Sequence, residues 1–485
     1  MNTPEDAGRV TSSVVSPVTL DWLARHAAAR PQSIALRTAG ADISYEELTR
    51  RVTRVARALE AQGLCAFRSV AIAAEDSQHR WLLLLACEAL GLSVASFRAV
   101  EGQGARGLIA AVDHVLTDQP TGLAVGRERV IDAAWFERAL SQPPQAVPLT
   151  PRGRAEDQAL VIRTSGTTGV QRLIRLTRQV LGQRIAASYP TVSPTGHWEE
   201  LLILPVTVAT VYFRALACFR SGGTVLEMPL GQALRTAAPT GAAVLPLEIQ
   251  RQLKALPASV PSAPNLTFVT FGGWLPESVR QTCVERLGAS VRQSYGCNEV
   301  GPVADLAADG SWQLRDGVEV QIVDALGAAT PGPGEVLLRT PYMASGLSTE
   351  SAGLGGGGWW QPFDRARWVR PGHFELLGRS NEVLNVAGIK CDTAAVERAL
   401  LGLPSVLGAA VAMVRRPGGG EERLGLLVVP APSVDPVALG RELQKLLPAW
   451  ADILLLATID ALPQMPSGKV DRNRVRLILE ASIPA

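Results

Sequence analysis

Hydrophobic positions in the first quarter of the chain follow helical and strand periodicities in turn. Leucines and alanines at positions 20, 23, 24, 27 and 28 form a helical stripe that ends before Pro31. Ser44-Tyr45-Glu46-Glu47 predicts a capping box, because apolar residues follow at 48, 52, 55 and 59. Val70–Ala73 and Val115–Thr117 predict strands on either side of a buried helix over His79–Leu90.

The same alternation of strand and helix signals continues to about residue 293. The apolar run Ala159–Ile162 has the composition of another buried strand. Strands that alternate with helices are typical of parallel α/β sheets. We predict further elements of this kind over Leu201–Leu204, Ala243–Leu245, Leu247–Leu253, Leu266–Phe271, Glu277–Leu287 and Ala289–Gln293.

From about Gly334 the pattern changes to short strands and a small α+β unit. Gly353–Gly358 is of low complexity and predicts a surface loop. We place a domain boundary near Ser380 and predict the fold class α/β: a tail over 1–16, a large N-terminal domain of α/β sheets over 17–380 and a small α+β domain over 381–485. The elements predicted here are strands at Gly334–Arg339, Phe374–Leu377, Val383–Val386, Val406–Val414, Leu424–Val429 and Ile453–Ala457, and helices at Thr393–Leu401 and Pro436–Leu446.

Composition narrows the class of protein without naming an activity. The 485 residues are 47% apolar and 19% charged, which is typical of a soluble globular enzyme. With 47 basic and 45 acidic side chains, the chain has no excess of charge that would predict a nucleic-acid or membrane partner. The six cysteines are scattered without metal-ligand spacing, and the N-terminus has no apolar signal core, so we expect reduced thiols in a cytoplasmic protein.

The loop Ser165-Gly166-Thr167-Thr168-Gly169 is the first candidate for chemistry. Glycines let the backbone approach a phosphate closely, and successive N–H groups and hydroxyls then donate to its oxygens. Thr164 before the loop and Arg172 after it add a hydroxyl and a planar cation that suits phosphate. The loop lacks the Gly-Lys-Ser/Thr of a Walker motif, so by itself it is equally an ordinary polar turn.

Three later motifs each have a chemical and an ordinary interpretation. Glu299 follows an aromatic residue and a glycine in Tyr295-Gly296-Cys297-Asn298-Glu299, and its carboxylate suits Mg²⁺, although a loop carboxylate is usually only solvated. Asp364 and Arg379 together suit the two hydroxyls of a ribose, or form a plain surface pair. Lys469 follows Ser-Gly in a proline-flanked loop, as a mobile catalytic cation or as a solvated turn lysine.

In this order the four motifs resemble the superfamily of adenylate-forming enzymes, which comprises acyl- and aryl-CoA synthetases, peptide-synthetase adenylation domains and beetle luciferases. The resemblance runs from Pro31 to Lys469, and Thr164–Gly169 matches the family's phosphate loop residue for residue. It implies a large N-terminal domain joined at a hinge to a small mobile C-terminal domain. It also implies that ATP and Mg²⁺ activate a carboxylic acid as an acyl-adenylate, with release of pyrophosphate. The acyl group then passes to a pantetheine thiol.

The resemblance assigns roles to individual positions. Glu299 would ligate Mg²⁺, Asp364 and Arg379 would bind the ribose, and Lys469 would contact the substrate carboxylate and the α-phosphate. Asn381 falls at the hinge, and Asn385–Lys390, with Gly388 and Lys390, resembles the loop that lines the pantetheine tunnel. The β- and γ-phosphates would lie on Thr164, Ser165, Gly166, Thr167, Thr168 and Gly169. The adenine would be enclosed by Gly272, Gly273, Trp274, Ser294 and Tyr295, and the nucleotide would also contact Gly296 and Asn298.

Several positions depart from the family pattern. Arg172 replaces a lysine after the phosphate loop, which keeps the charge but changes its geometry. Asn298 replaces a threonine, and Pro362-Phe363-Asp364 replaces the usual Thr-Gly-Asp. Val208 stands where a histidine is frequent.

The acid is expected to be small, aromatic or short-chain, and without an α-amino group. Peptide-synthetase adenylation domains place an aspartate near position 208 to hold an ammonium, and no carboxylate lies between Leu201 and Cys218. The candidate pocket lining is Val208, Thr210, Val211, Tyr212, Trp274, Ser294 and Val303, of which several, Val211 especially, are alternatively plain core.

The acceptor thiol is expected to belong to CoA or to a carrier-protein phosphopantetheine. Glu382–Gly388 looks particularly like short-chain acyl-CoA synthetases, which favours an acid–CoA ligase; an acyl- or aryl-carrier-protein ligase is the alternative. A non-catalytic nucleotide-binding protein is a remote third possibility, because Lys469, Glu299 and the phosphate loop are all retained.

Overall fold

The computed structural model describes most of the chain between residues 18 and 483. The ranges described are 18–65, 68–143, 152–164, 172–188, 197–324, 326–344, 346–347, 354–355, 358–380, 383–386, 389–414, 423–432, 434–446, 453–465 and 470–483. No helix of these ranges is both long enough and apolar enough to cross a bilayer.

Helices occur throughout the described ranges. They are α1 (Thr19–Ala29), α2 (Tyr45–Ala61), α3 (Ser77–Ala89), α4 (Arg106–Ala110), α5 (Ala133–Ser141), α6 (Arg178–Ala186), α7 (Ala209–Ser221), α8 (Leu230–Thr236), α9 (Pro246–Ala255), α10 (Glu277–Leu287), α11 (Thr393–Leu401), α12 (Pro436–Leu446) and α13 (Arg472–Ala481), with a 3₁₀ turn at Ala99–Ala105.

Most strands alternate with these helices up to residue 297. Strands then follow one another directly as far as residue 392, and helices return after that. They are β1 (Ile34–Thr38), β2 (Asp42–Ser44), β3 (Ser69–Ala73), β4 (Ser93–Ser96), β5 (His114–Thr117), β6 (Glu128–Val130), β7 (Gln158–Thr164), β8 (Arg172–Thr177), β9 (Glu199–Leu201), β10 (Thr224–Glu227), β11 (Gly241–Val244), β12 (Thr267–Thr270), β13 (Ser290–Cys297), β14 (Gly301–Leu306), β15 (Trp312–Leu314), β16 (Glu319–Val323), β17 (Gly334–Arg339), β18 (Gly346–Leu347), β19 (Leu354–Gly355), β20 (Trp359–Trp360), β21 (Asp364–Arg370), β22 (His373–Arg379), β23 (Val383–Val386), β24 (Ile389–Asp392), β25 (Val406–Val414), β26 (Arg423–Pro430) and β27 (Ile453–Thr458).

Two large sheets form the N-terminal part. The smaller has the order β18-β8-β7-β4-β3-β5-β6 and is parallel from β7 to β6. The larger has the order β19-β20-β17-β21-β22-β15-β14-β13-β12-β11-β9-β10-β1-β2, with β16 paired to β17. Helices α1, α2, α3 and α7 bury their apolar faces in one cluster with Trp81 fully inside, which is the helix-covered arrangement that parallel sheets require.

Strand β13 joins the parallel and antiparallel halves of the larger sheet. Its first half pairs in parallel with β12, from Ser290 to Gln293, and its second half pairs antiparallel with β14, from Ser294 to Cys297. A register shift falls between Tyr295 and Gly296. The exchange of partners therefore occurs at the carboxyl ends of the parallel strands, where open α/β sheets bind ligands.

Buried ion pairs tie helices to the sheets. Arg214 on α7 donates from Nε and Nη2 to the two oxygens of Glu200 on β9, at 2.5 and 2.7 Å, and Trp198 Nε1 donates to Glu200 at 2.9 Å. Glu200 is fully buried and Arg214 nearly so. A second pair, Arg220 with Glu88, connects α7 to α3 at 3.0 Å. Such pairs hold a helix in one orientation because breaking them leaves a buried charge.

The C-terminal part is a small unit built on the sheet β25-β26-β27, with helices α11, α12 and α13 and the hairpin β23–β24. Its contacts with the larger part include apolar packing against α9 and several polar bonds. Arg398 on α11 donates to the carbonyls of Leu376 and Leu377, at 2.6 and 2.9 Å, and Gln250 on α9 donates to the carbonyl of Leu407 at 2.9 Å.

The structure confirms the predicted fold class, with one large part of α/β sheets and one small C-terminal sheet unit. Glu277–Leu287, Thr393–Leu401 and Val406–Val414 match their predicted bounds. The boundary near Ser380 stays a prediction, since Asn381 lies outside the described residues.

Several element predictions were wrong or incomplete. The strand at Leu201–Leu204 ends at Leu201, and the pattern missed α7 and α13. Leu354–Gly355, predicted as loop, pairs with β20. At the capping box, Ser44 Oγ accepts from Glu47 N at 3.2 Å, but the Glu47 carboxylate instead pairs with Arg50 and Arg51. Two arginines nearby outcompete the backbone N–H for that carboxylate.

We expect Arg214→Met to lower the free energy of unfolding by about 3–5 kcal/mol, because it leaves Glu200 buried without its cation. Urea denaturation followed by circular dichroism measures the change. The double variant Glu200→Gln/Arg214→Met is the control and should lose less than the single variant. A double variant that is less stable than Arg214→Met would contradict this account.

Candidate active site

A cleft of about 1990 Å³ lies between the two large sheets and the C-terminal unit. It is lined by the ends of β7, β12 and β13, the N-terminus of α7, residues 272–274 and the β21–β22 pair. From the C-terminal unit it takes residues of α11 and β25 and the segment 470–473. Predicted site residues from positions far apart in the chain thus surround one space.

Asp364 is the centre of a hydrogen-bonded group in this cleft. Its carboxylate accepts from Arg379 Nε at 3.1 Å and from Tyr295 Oη at 2.6 Å, and Asp364 is 8% exposed. Asp364 and Arg379 are opposite each other on β21 and β22. Burial, and then the nearby Asp364, raises the pKa of Tyr295 well above its usual value, so its phenol remains a donor. The structure thereby joins a predicted base-binding residue to both predicted ribose-binding residues.

Phe363, just before Asp364, has an unusual backbone conformation. Its φ of 62° lies in the left-handed region, and no other non-glycine residue in the described ranges has a positive φ. The strain of such a residue is about 1–2 kcal/mol. The Phe363 carbonyl accepts from Ser380 N at 2.7 Å and from Ser380 Oγ at 3.1 Å, which holds the turn in place. The side chain lines the cleft where the adenylate-forming pattern has glycine.

Gly296 allows the chain to turn from β13 into β14. A Cβ atom at this position would lie 2.4 Å from the carbonyl oxygen of Gly301, so only glycine fits without moving backbone. The turn brings Asn298 and Glu299 to the cleft. Sequence reasoning missed Arg184, which donates to the carbonyls of both residues from inside the protein.

Glu299 is suited to a cation that arrives with phosphate. Within the described residues no group of three or more His, Cys, Asp or Glu side chains could hold a metal by itself. Mg²⁺ is usually bound by one or two carboxylates together with substrate phosphates, and it keeps several waters. The carboxylate of Glu299 in the cleft fits that arrangement.

Gln293 is a candidate that the sequence analysis did not assign. Its Nε2 donates to the carbonyl of Gly273 at 3.0 Å, while Oε1 is buried and has no partner among the described residues. The residue is 2% exposed and lines the cleft beside the predicted adenine-binding loop at 272–274. A buried acceptor without a donor is costly, and an amino group on a bound base would satisfy it. In the sequence, its position directly before Ser294-Tyr295 was the feature that could have indicated a place in the site.

Most of the predicted pocket residues line the cleft. Val208, Thr210, Tyr212, Trp274 and Ser294 all line the cleft, and burial raises the pKa of Tyr212.

The other two predicted pocket residues lie away from the cleft. Val211 and Val303 are packed in apolar clusters and do not line the cleft, because Val303 faces away from its neighbour Pro302 on β14 and Val211 points into the helix core. The wall at Ser294 is polar: Arg315 pairs with Asp305 at 2.8 Å and approaches Ser294 Oγ at 3.4 Å.

Some predicted site residues lie outside the described residues: Ser165, Gly166, Thr167, Thr168, Gly169, Asn381, Gly388 and Lys469, and the side chains of Thr164 and Lys390. The chain on either side of two of these segments is described. Thr164 pairs with Arg172 across β7 and β8, and Arg172 lines the cleft. Met465 and Val470, which flank 466–469, also line it. Described residues on both sides of 165–171 and of 466–469 therefore lie at the cleft.

Comparison with known proteins gives one family. A family model described as AMP-binding enzyme matches residues 23–347, well over half of the chain. The chain is 26% identical to the fatty acid–[acyl-carrier-protein] ligase ScoC of Streptomyces coeruleorubidus, over 93% of this chain and 94% of that protein. It is also 26% identical to an indoleacetate–CoA ligase of Aromatoleum aromaticum, over 95% and 98% of the two chains.

The fold is shared with solved structures and with part of a much longer protein. The anthranilate CoA ligase AuaEII, in complex with anthranoyl-AMP, matches with a TM-score of 0.83 at 17% identity, over 96% of this chain and 98% of that chain. The chain is 25% identical to part of the probable non-canonical nonribosomal peptide synthetase CymA of Salinispora arenicola. The match covers 96% of this chain and only 6% of CymA.

Glycine usually destabilises a position more than alanine does, and the backbone strain at Phe363 predicts the reverse order of stability there. Phe363→Gly should be more stable than Phe363→Ala by about 1 kcal/mol, because alanine retains the left-handed strain and glycine does not. Thermal unfolding of the two variants measures the difference. At Val369, an exposed position on β21, alanine should be more stable than glycine. Equal stability of the two variants at 363 would count against the strain.

Proposed function

The chain belongs to the AMP-binding enzyme family and has the fold of adenylate-forming enzymes, and we propose that it is an acid–thiol ligase. In the proposed reaction, ATP activates a small carboxylic acid as an acyl-adenylate with release of pyrophosphate. The acyl group then passes to a pantetheine thiol, that of CoA. We place the reaction in the cytoplasm, where the free cysteines of the described ranges would stay reduced.

One observation supports the nucleotide site above the others. Tyr295, Asp364 and Arg379 form one hydrogen-bonded group in a cleft that also holds the unpaired acceptor of Gln293. A carboxylate held in place by Tyr295 and Arg379 is suited to accept hydrogen bonds from ribose hydroxyls. The Gln293 oxygen would accept from the adenine amino group, and Gly272, Gly273 and Trp274 would cover the base.

The first half-reaction brings two anions together, so the site must neutralise charge before they meet. We assign the β- and γ-phosphates to the loop Thr164–Gly169 and to Arg172. Glu299 would hold Mg²⁺, which supplies charge neutralisation at the phosphates when bound, and Asn298 would donate its amide to a phosphate oxygen. Lys469 would contact the acid carboxylate and the α-phosphate, so that attack and departure occur in line.

The second half-reaction needs a different arrangement of the same cleft. Lys469 and the segment Asn385–Lys390 belong to the C-terminal unit, so one rotation would exchange them. The described contacts between the two parts include the polar bonds of Arg398 and Gln250, and polar interfaces of this kind between domains suit relative motion. We place the pivot at Asn381, directly after Ser380, whose N–H and hydroxyl are anchored on Phe363. Gly388 and Lys390 would then border the thiol channel.

We propose a compact carboxylic acid without an α-amino group as the substrate. Val208 and Thr210 at the start of α7 offer no anion for an ammonium. The pair Arg315–Asp305 beside Ser294 gives one wall a hydrogen-bonding character, which suits an aromatic or short-chain acid with a polar substituent.

A carrier-protein phosphopantetheine is the second candidate acceptor. It is supported by the carrier-protein ligase ScoC, just as CoA is supported by the indoleacetate–CoA ligase, at the same identity. Both acceptors carry the thiol at the end of the same pantetheine arm, so the cleft residues fit either acceptor.

A pyrophosphate-release screen against a panel of carboxylic acids, with CoA and a holo carrier protein as alternative acceptors, tests the proposal. We expect turnover with small aromatic or short-chain acids and at least tenfold lower rates with the matching α-amino acids, since an ammonium would be desolvated without a counter-ion. A preference for any α-amino acid would overturn the proposed pocket, and no acid-dependent pyrophosphate release at all would overturn the function.

We expect Lys469→Ala to lower the adenylation rate by about 10²–10³ or more, because one charge contact at the reacting phosphate is lost. Thioester formation from supplied acyl-adenylate should continue at the parent rate. Single-turnover assays of each half-reaction measure the two effects. Lys254→Ala, at an exposed position on α9, is the control and should change neither. Equal loss of both half-reactions would contradict the role assigned to Lys469.

A further inference from the structure

Arg184 is a buried cation with an unusual set of partners. It lies on α6 and is 1% exposed. Its Nε donates to the carbonyl of Tyr342 at 3.0 Å, Nη1 to that of Asn298 at 2.7 Å and Nη2 to that of Glu299 at 3.1 Å. Within the described ranges it forms no ion pair with a carboxylate. All three acceptors are backbone carbonyls on segments that border the cleft.

Such a residue is expensive to bury, because a charge taken out of water is usually compensated by an opposite charge. Burial lowers the pKa of Arg184 to about 10. A leucine or methionine would fill the same space without this cost. What the guanidinium supplies, and an apolar side chain cannot, is a rigid fork that fixes three carbonyls relative to one another.

The carbonyls that it fixes belong to the segment carrying Glu299. Ala344 N also donates to the Glu299 carbonyl, at 2.8 Å, so the backbone of Glu299 is held from two sides. On the other side, α6 follows β8 directly, and β8 begins at Arg172 where the phosphate loop ends. Arg184 therefore links the helix that follows the β7–β8 hairpin to the segment that carries Glu299.

We propose that Arg184 is a positioning residue that sets the Glu299 carboxylate at a fixed place relative to the nucleotide phosphates, and thereby sets the affinity for the Mg²⁺ ion that accompanies them. This inference rests on the proposed function, which assigns Glu299 to Mg²⁺. Groups that orient a metal ligand without touching the metal typically change metal affinity by about 10–100-fold when they are removed.

The experiment measures binding rather than turnover. Parent and variant proteins are titrated with Mg²⁺ at a fixed ATP concentration without acid, and the rise in thermal unfolding temperature gives the Mg²⁺ midpoint. We expect Arg184→Met to raise this midpoint by about 10–100-fold. Arg184→Lys, which keeps the charge but loses the fork, should lie between the parent and the methionine variant. ATP binding in the presence of EDTA should change much less.

Arg178 provides a matched control on the same helix. It is also buried, at 5% exposed, but its guanidinium faces the carbonyl of Glu88 on α3, away from Glu299. Arg178→Met should lower the unfolding temperature without changing the Mg²⁺ midpoint. If Arg184→Met does not fold, Arg184→Lys against Arg178→Lys decides the same question.

The outcomes separate this inference from the proposed function. An unchanged midpoint in a folded Arg184 variant, with a Mg²⁺-dependent parent, overturns the role of Arg184 and leaves the proposed function standing. A lower midpoint also overturns it, since it would show that the cation only repels the metal. A parent that binds ATP with no Mg²⁺ dependence overturns both, and an equal change in the Arg178 control shows that the effect is general destabilisation.

Discussion

The candidate site depends on the way β13 changes partner in the middle of its length. Its first four residues complete the parallel sheet, and its last four begin the antiparallel one. The change is possible because Gly296 lets the next strand approach to a distance that no side chain would permit. Gln293, Tyr295 and Glu299 are thereby presented in sequence along one wall of the cleft. A side chain at 296 would displace the whole wall.

Three unfavourable features of the described structure lie at the same cleft. Phe363 has a strained backbone, Gln293 has an unsatisfied oxygen, and Arg184 is a buried cation without an ion-pair partner among the described residues. Each costs about 1–3 kcal/mol by itself. Glu200, by contrast, is buried with its counter-ion Arg214. Local costs that persist at one place are typical of a site whose geometry is selected for binding.

The contacts between the two parts of the chain bear on how far the parts can move relative to each other. The C-terminal unit has its own apolar clusters and meets the larger part through bonds such as Arg398 to the end of β22. Interfaces between domains that use polar bonds of this kind typically permit relative motion. A proposed reaction with two arrangements of one cleft requires that property.

The sequence by itself determined the class of fold, most elements and the identity of the four motifs, because periodicity and short-range spacing are local properties. It also marked Phe363 as a departure from a glycine position. It could not show that Phe363 adopts the glycine conformation, that Val303 faces the core while Pro302 faces the cleft, or that Arg184 reaches Asn298 over more than one hundred residues. Those facts depend on which strands become neighbours and which faces meet. Only the tertiary structure decides them, because the chain must close long loops before such partners come within reach.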